Sequence, residues 1–131
     1  MKVVVDTSVW SQALRRTRGD ETVIATLRDL ISDGRVAMLG CIRQELLSGI
    51  PLMDRFRSLR TRLRAFPDEV VQMGDYELAA EFFNTCRQKG IQGSNTDFLI
   101  CASAVNRKFA IFTTDQDFRR FRKAVGITLL E

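Results

Sequence analysis

Short apolar runs rich in β-branched residues alternate along this chain with longer segments of helical periodicity. The run VVV at residues 3–5 stops at Asp6 and is typical of a strand buried on both faces, because such a strand shows no polar alternation. Similar runs predict five strands, at residues 2–5, 36–39, 69–73, 110–113 and 127–130. Strands that alternate with helices form βαβ units. We therefore expect an α/β fold with a mostly parallel central sheet of about four to five strands and helices on both faces.

Capping residues and glycines mark the ends of the helices between these strands. Asp75 and Thr96 are interpreted as N-caps, and the first helix is expected to run to about Arg15. The expected helices cover residues 7–15, 20–33, 42–47, 51–66, 75–89, 97–106 and 117–123.

The 131 residues contain no internal repeat, low-complexity tract or linker, so residues 1–131 are expected to form a single domain. No stretch approaches the roughly 20 apolar residues that cross a bilayer, and the N-terminus lacks a signal-peptide pattern. Three widely separated cysteines are typical of free thiols in a reducing compartment. A cytoplasmic protein with no membrane association is expected.

The absence of histidine limits the chemistry that the chain can perform. It excludes Ser-His-Asp and Cys-His nucleophiles, a histidine general base and imidazole metal ligands. Hydrolysis would therefore depend on carboxylates, amines, hydroxyls or a metal held by oxygen. The formal net charge of +4 favours a polyanionic partner, although only mildly.

Acidic residues occur where the predicted strands and helices would bring them to one edge of the sheet. Asp6 ends the first strand, while Asp115 and Asp117 follow the fourth. Glu45 lies in the helix after the second strand, and Asp97 begins the helix that leads to the fourth. Sites in parallel sheets gather beyond the carboxyl ends of the strands, so these acids could converge there.

Carboxylates packed closely together repel one another unless a cation compensates them. Mg²⁺ or Mn²⁺ prefers oxygen ligands, and a pair of such ions roughly 3.5–4 Å apart can assist attack by water on a phosphodiester. Each acid taken alone is more often a helix cap or a solvated residue. The apolar segments that flank the acids favour the metal interpretation for the set.

Four segments resemble PIN-domain nucleases and, among them, the VapC-type toxins of toxin–antitoxin pairs. They are VVVDTSVW at 3–10, IRQELLSG at 42–49, TDFLICASAV at 96–105 and FTTDQDF at 112–118. Their order and spacing match the family, and the resemblance runs over nearly the whole chain.

The resemblance implies roles for individual residues and for partners. Four acids would bind the metal and carry the catalysis: Asp6, Glu45, Asp97 and Asp115. Ser8 and Thr113 match polar positions that hydrogen-bond the acids, and Asp117 matches a further ligand or supporting acid. The implied cofactor is Mg²⁺ or Mn²⁺. The implied partners are an RNA substrate, a cognate antitoxin protein and a second copy of the chain.

Arginines near the expected sheet edge, Arg15 and Arg119, are candidates for contacts with substrate phosphates. The predicted helix at 51–66 carries a further group, made up of Arg55, Arg57, Arg60, Arg62 and Arg64. These arginines could contact RNA phosphates or form a solvated face that covers the core. The resemblance adds a third role, in a groove that takes up the antitoxin.

The leading hypothesis is a divalent-metal-dependent endoribonuclease acting as a toxin, in which a metal-activated water cleaves RNA phosphodiesters. The alternative is a non-catalytic module that binds RNA or a protein partner and whose acids hold only a structural ion. A phospho-acceptor receiver domain is disfavoured, because the early acid is single and Lys108 is misplaced for that chemistry.

Overall fold

The computed structural model describes residues 1–14 and 19–131. Within them a parallel sheet has three strands, β1 (Val3–Val5), β2 (Val36–Ala37) and β3 (Ala110–Phe112), in the order β2-β1-β3. Val3 pairs with Val36 on one side and with Ala110 on the other. All three residues of β1 are fully buried, as its β-branched run predicts.

Seven helices flank the sheet, and each of the predicted helices is present in the described part of the chain. They are α1 (Thr7–Leu14), α2 (Glu21–Ser32), α3 (Gly40–Leu47), α4 (Met53–Leu63), α5 (Met73–Gln88), α6 (Asn95–Arg107) and α7 (Asp117–Ala124). The α/β class and the parallel sheet are thereby confirmed. None of the described helices combines the length and the apolar character that a membrane crossing requires.

Two of the five predicted strands are reduced to single bridges at the edges of the sheet. Met38 pairs with Asp68 beside β2, and Ile111 pairs with Leu129 beside β3. The prediction of a strand at 69–73 is wrong: Val70 is 72% exposed, and α5 begins at Met73. The expected four to five strands are reached only when these bridges are counted.

The helix caps differ from the sequence interpretation at two places. Asp75 is the third residue of α5 rather than its N-cap, and its carboxylate accepts from the backbone N–H of Gln72 at 2.8 Å. Ser94, and not Thr96, caps α6, since its Oγ accepts from the N–H of Asp97 at 3.0 Å. In both cases a capping box places the acid three residues after the cap.

A cluster of aromatic rings connects α6 to α7. The Phe121 ring lies 4.8 Å from that of Phe98 and 5.2 Å from that of Phe118, and all three side chains are buried. Gly93 packs so closely that an added Cβ would lie 2.6 Å from Cζ of Phe121. This packing holds the start of α6 and the start of α7 in fixed positions.

Candidate functional site

Asp6 lies directly after the central strand and is only 6% exposed. Its N–H donates to the carbonyl of Phe112 at 2.9 Å, so the pairing of β1 with β3 continues to this residue. The Oδ2 atom of Asp6 accepts from Oγ of Ser8 at 2.8 Å and from Oγ1 of Thr113 at 2.9 Å. The ends of two neighbouring strands are thereby joined through one carboxylate oxygen.

The hydroxyls of Ser8 and Thr113 each donate one hydrogen bond and accept another. Ser8 Oγ accepts from the N–H of Thr114, and Thr113 Oγ1 accepts from the N–H of Asp115, both at 3.0 Å. A hydroxyl has a single proton, so when both donate to Asp6 the 3.2 Å separation of the two hydroxyl oxygens is a contact only. No hydrogen bond to Oδ1 of Asp6 is found among the described residues, so that oxygen remains available to a ligand.

In Asp115 and Asp97, as in Asp6, one carboxylate oxygen accepts a hydrogen bond and the other does not. Oδ1 of Asp115 accepts from the N–H of Asp117 at 2.9 Å, and Oδ2 of Asp97 accepts from the N–H of Ser94 at 3.2 Å. In residues 1–14 and 19–131 no hydrogen bond occupies the second oxygen of either carboxylate. Each of the three aspartates therefore has one oxygen that fixes its orientation and one that can bind a ligand.

Glu45 lies on α3 and faces the edge of the sheet at which Asp6 and Asp115 follow their strands. We call this edge, with Asp6, Glu45, Asp97 and Asp115, the acidic edge. Burial raises its pKa above the ordinary value, and the negative charges of Asp6 and Asp97 raise it further. The Thr7 hydroxyl is near enough to lower the pKa of Glu45 in part, although its buried Oγ1 makes no hydrogen bond of normal geometry within the described chain. The shift shows that Glu45 lies within electrostatic reach of two other acids.

Asp97 experiences the same electrostatic environment from the start of α6. Burial raises the pKa of Asp97, the hydrogen bonds with Ser94 oppose this, and the charges of Asp115 and Asp6 raise it again. The structure thus brings the four predicted acids to one edge of the sheet, where like charges act on one another.

The donor set fits a hard divalent cation. It consists of carboxylate oxygens, which Mg²⁺ and Mn²⁺ prefer, and no lysine or arginine among the described residues forms an ion pair with any of the four acids. As placed, no three acidic or cysteine side chains of the described chain lie close enough together to enclose an ion. The four acids therefore form an open group rather than a closed cage, which suits an ion that keeps several of its waters.

The supporting residues expected from the sequence occupy different places. The N–H of Asp117 supports Asp115, whereas its own carboxylate is 45% exposed and lies 4.0 Å from Nη1 of Arg120. Arg119 borders a cavity of about 210 Å³ that Asp115 also lines. Arg15 lies outside the described residues.

Ser94 is a site residue that the sequence interpretation missed. Its backbone N–H donates to the carboxylate of Asp97, and its hydroxyl oxygen accepts from the N–H of Asp97. The signal was present as Ser-x-x-Asp at residues 94–97, but Thr96 stands closer to the apolar run and was chosen as the cap.

Asp75 belongs to a separate, buried ion pair, and the interpretation of this residue as a simple cap is wrong. Arg107 Nη1 lies 3.0 Å from its Oδ1, and Asn106 Nδ2 donates to the same atom at 2.8 Å. Burial raises the pKa of Asp75, but the hydrogen bonds from Arg107, Asn106 and the Gln72 N–H outweigh it and lower the pKa to about 2. This pair connects α5 to the end of α6, away from the acidic edge.

Comparison with known families identifies the fold that carries this edge. The PIN domain family matches residues 3–124, which is most of the chain. The chain belongs to the PIN domain family. PIN domains are in general nucleases that use divalent metals, and the acidic edge of this PIN domain has the oxygen donors for such a metal. No curated protein matches the sequence.

Several solved structures share this fold. FitAcB from Neisseria gonorrhoeae is 20% identical, with 98% of this chain and 96% of that chain covered and a TM-score of 0.79. VapBC2 from Rickettsia felis, bound to a DNA fragment from its promoter, is 18% identical over 99% and 98%, with a TM-score of 0.81. DNA-bound VapBC from Salmonella typhimurium is 14% identical over 99% and 97%, with a TM-score of 0.79. At these identities the likeness establishes that this PIN domain shares their fold.

Proposed function

We propose that this PIN domain is a divalent-metal-dependent endoribonuclease of the VapC toxin type. Asp6, Glu45, Asp97 and Asp115 would hold Mg²⁺ or Mn²⁺ and carry the catalysis. The observation that carries the proposal is the convergence of four carboxylates without a cationic partner among the described side chains. The formal net charge of the whole chain is +4, which suits a polyanionic substrate.

When bound, a divalent cation supplies charge neutralisation at the phosphoryl oxygens and lowers the pKa of a water that can then attack phosphorus. The chain's own residues hold the acids ready for this. Ser8 and Thr113 both donate to one oxygen of Asp6, which fixes the orientation of the carboxylate and leaves its other oxygen without a hydrogen bond from the described residues. The N–H of Asp117 does the same for Asp115.

The partners proposed are a cognate antitoxin and a second copy of the chain, and the proposed place of action is the cytoplasm, where cellular RNA is available. The sequence resemblance to VapC-type toxins supports both partners, and the fold shared with VapBC and FitAcB structures supports the first. Co-purification from native cells tests for the antitoxin. Light scattering of the purified chain tests for the dimer.

The decisive experiment compares cleavage of a mixed RNA pool with Mg²⁺ or Mn²⁺ by the wild type and by Asp97→Asn. Asparagine keeps the oxygen that accepts from Ser94 and removes the charge, so the fold of α6 is preserved. Asp29→Asn is the matched control, since Asp29 is an exposed acid on α2. We expect RNA ends to accumulate with the wild type and the control, and to disappear with Asp97→Asn or EDTA.

Two results would contradict the proposal. Equal cleavage by the wild type and Asp97→Asn would exclude the carboxylate site, and cleavage that persists in EDTA would exclude the metal. Tight Mn²⁺ binding without cleavage of any RNA in the pool would favour the non-catalytic module instead. A separate experiment, sequencing of the RNA ends after brief expression in cells, identifies the target.

A further inference from the structure

A cavity of about 850 Å³ opens beside the acidic edge. Thr7 of α1 and Glu45 of α3 line it, so it shares one of the four acids with the acidic edge. Its other wall is α4, which contributes Arg55 and Arg62. We call this space, defined by these four residues, the arginine cavity.

The arginines of α4 divide between two faces of the helix. Arg55 and Arg62 are seven residues apart, two turns along one face, and both line the arginine cavity. Arg60 and Arg64 border a different cavity, and the Arg60 guanidinium lies 5.9 Å from the centre of the Phe56 ring. Only part of the basic surface of α4 therefore faces the acidic edge.

Arg55 and Arg62 have no carboxylate partner among the described residues. Two exposed cations that remain unpaired beside a group of acids can neutralise an anion that would otherwise be repelled there. The interval between them corresponds to roughly 10 Å of helix axis, so they are placed to contact separate anionic groups.

We propose that the arginine cavity binds the RNA strand next to the scissile phosphate, with Arg55 and Arg62 each contacting a backbone phosphate. This inference deepens the proposed function and rests on it for the position of the scissile phosphate. The occupant is RNA because the cavity shares Glu45 and Thr7 with the acidic edge. A strand bound at Glu45 would therefore lie beside Arg55 and Arg62.

The remaining lining indicates what this contact recognises. Leucine side chains, among them Leu46 and Leu59, provide apolar surface, and no aromatic residue is among the described lining residues. Without an aromatic ring there is no platform for base stacking. The arginine cavity therefore contributes affinity along the backbone and little preference for base sequence.

Fluorescence anisotropy of a short labelled single-stranded RNA of mixed sequence tests the proposal. Binding is measured over a range of salt concentrations in EDTA, and intact RNA is verified afterwards, so that the result is independent of cleavage. The cavity variant is Arg55→Gln with Arg62→Gln. The matched control is Arg57→Gln with Arg64→Gln, which removes the same charge from α4 at exposed residues that do not line the cavity.

We expect the cavity variant to bind on the order of tenfold more weakly at low salt, because two charged contacts are lost. The slope of log affinity against log salt should become less steep by about 1.4, which is 0.7 for each phosphate contact to a single strand. The control variant should keep the wild-type slope. Melting temperatures close to that of the wild type establish that both variants fold.

Equal changes of slope in both variants, or no change in either, would overturn this inference. Neither result would bear on the proposed metal site. A cavity variant that keeps the RNA slope but no longer co-purifies with a protein partner would also overturn it, in favour of a protein occupant. If the wild type binds RNA with the expected slope and yet cleaves none with Mn²⁺, the proposed ribonuclease activity fails while the RNA contact stands.

Discussion

The Thr113 hydroxyl donates to Oδ2 of Asp6 across 2.9 Å, although the two residues are 107 positions apart. Thr113 also accepts from the N–H of Asp115, so a single side chain orients one acid and connects to the backbone of another. The geometry of the acidic edge therefore depends on a residue that is not itself an acid.

Replacing Thr113 by valine keeps the shape of the side chain and removes this donor. We expect Mn²⁺ affinity to fall by about 10–100-fold, the usual effect of losing a hydrogen bond to a ligating carboxylate. Titration calorimetry measures it. Thr114→Val is the control, since no hydrogen bond of the Thr114 hydroxyl is found in the described chain. Equal affinities in the two variants would show that Thr113 does not support the metal.

Asp97→Asn should make the metal-free protein more stable at neutral pH. The pKa of Asp97 is raised, so its contribution to the free energy of unfolding is fully present below the ordinary carboxyl pKa and is lost as pH rises and this half-buried group ionises. Asparagine avoids that cost and keeps the hydrogen bond from Ser94. We expect the melting temperature in EDTA to rise by a few degrees at pH 7, with no rise for Asp29→Asn. A fall at pH 7 would contradict the assignment.

Metal binding should weaken as pH falls. Burial and neighbouring charges raise the pKa of both Glu45 and Asp97, so protons compete with the cation above the pH at which ordinary carboxyls titrate. The stabilisation by Mn²⁺, measured as a melting-temperature shift, should therefore begin to decline at a pH above the range in which ordinary carboxyls titrate. Glu45→Gln removes one of the two groups and should make the decline shallower. If the pH dependence of the stabilisation by Mn²⁺ were unchanged in Glu45→Gln, protonation of Glu45 would not compete with metal binding.

Asp75→Asn should destabilise the fold by about 2–4 kcal/mol, because it leaves the Arg107 guanidinium without its buried partner. The pKa of Asp75 is lowered to about 2, so its contribution is present above the ordinary carboxyl pKa and is lost as pH falls toward 2. Urea unfolding at neutral and acidic pH measures both effects. Glu131→Gln, which breaks the exposed pair with Arg122, should change little at neutral pH.

Gly93→Ala should destabilise the protein by about 1–3 kcal/mol, the usual effect of overpacking. The new Cβ would lie 2.6 Å from Cζ of Phe121 and 2.9 Å from Cζ of Phe98, and rings enclosed in the core cannot move aside freely. Gly126→Ala is the control, since an added Cβ there meets nothing within 4 Å. Urea unfolding of both variants is the measurement, and equal stabilities would show that the ring cluster can relax.

Short sequence patterns correctly predicted those parts of the fold that are determined by neighbouring residues in the chain. The buried run at β1 and the placement of Asp6 and Asp115 after strands follow from burial and chain direction. The prediction of a strand at 69–73 was wrong because the apolar composition of this segment suggested burial, whereas Val70 lies in solvent. Only the packing of neighbouring elements decides whether such a run joins the sheet.

Within the candidate site, strand-end placement indicated Asp6 and Asp115, while Glu45 and Asp97 depended more on the family resemblance. The partner of Asp75 is 32 positions away in Arg107, a separation at which no capping pattern carries information. In the same way, helical spacing alone could not tell which arginines of α4 face the acidic edge. That distinction requires the position of α4 relative to α1 and α3.

The register of β1 between β2 and β3 has a consequence for how this sequence can vary. Each strand residue advances the chain by about 3.3 Å and reverses the face to which the side chain points. Exchange among valine, isoleucine and leucine within residues 3–5 would leave Asp6 where it is. Deleting one of these residues would draw Asp6 back into the sheet and away from Thr113. Evolutionary change in this segment is therefore limited to apolar residues in composition and is constrained in length.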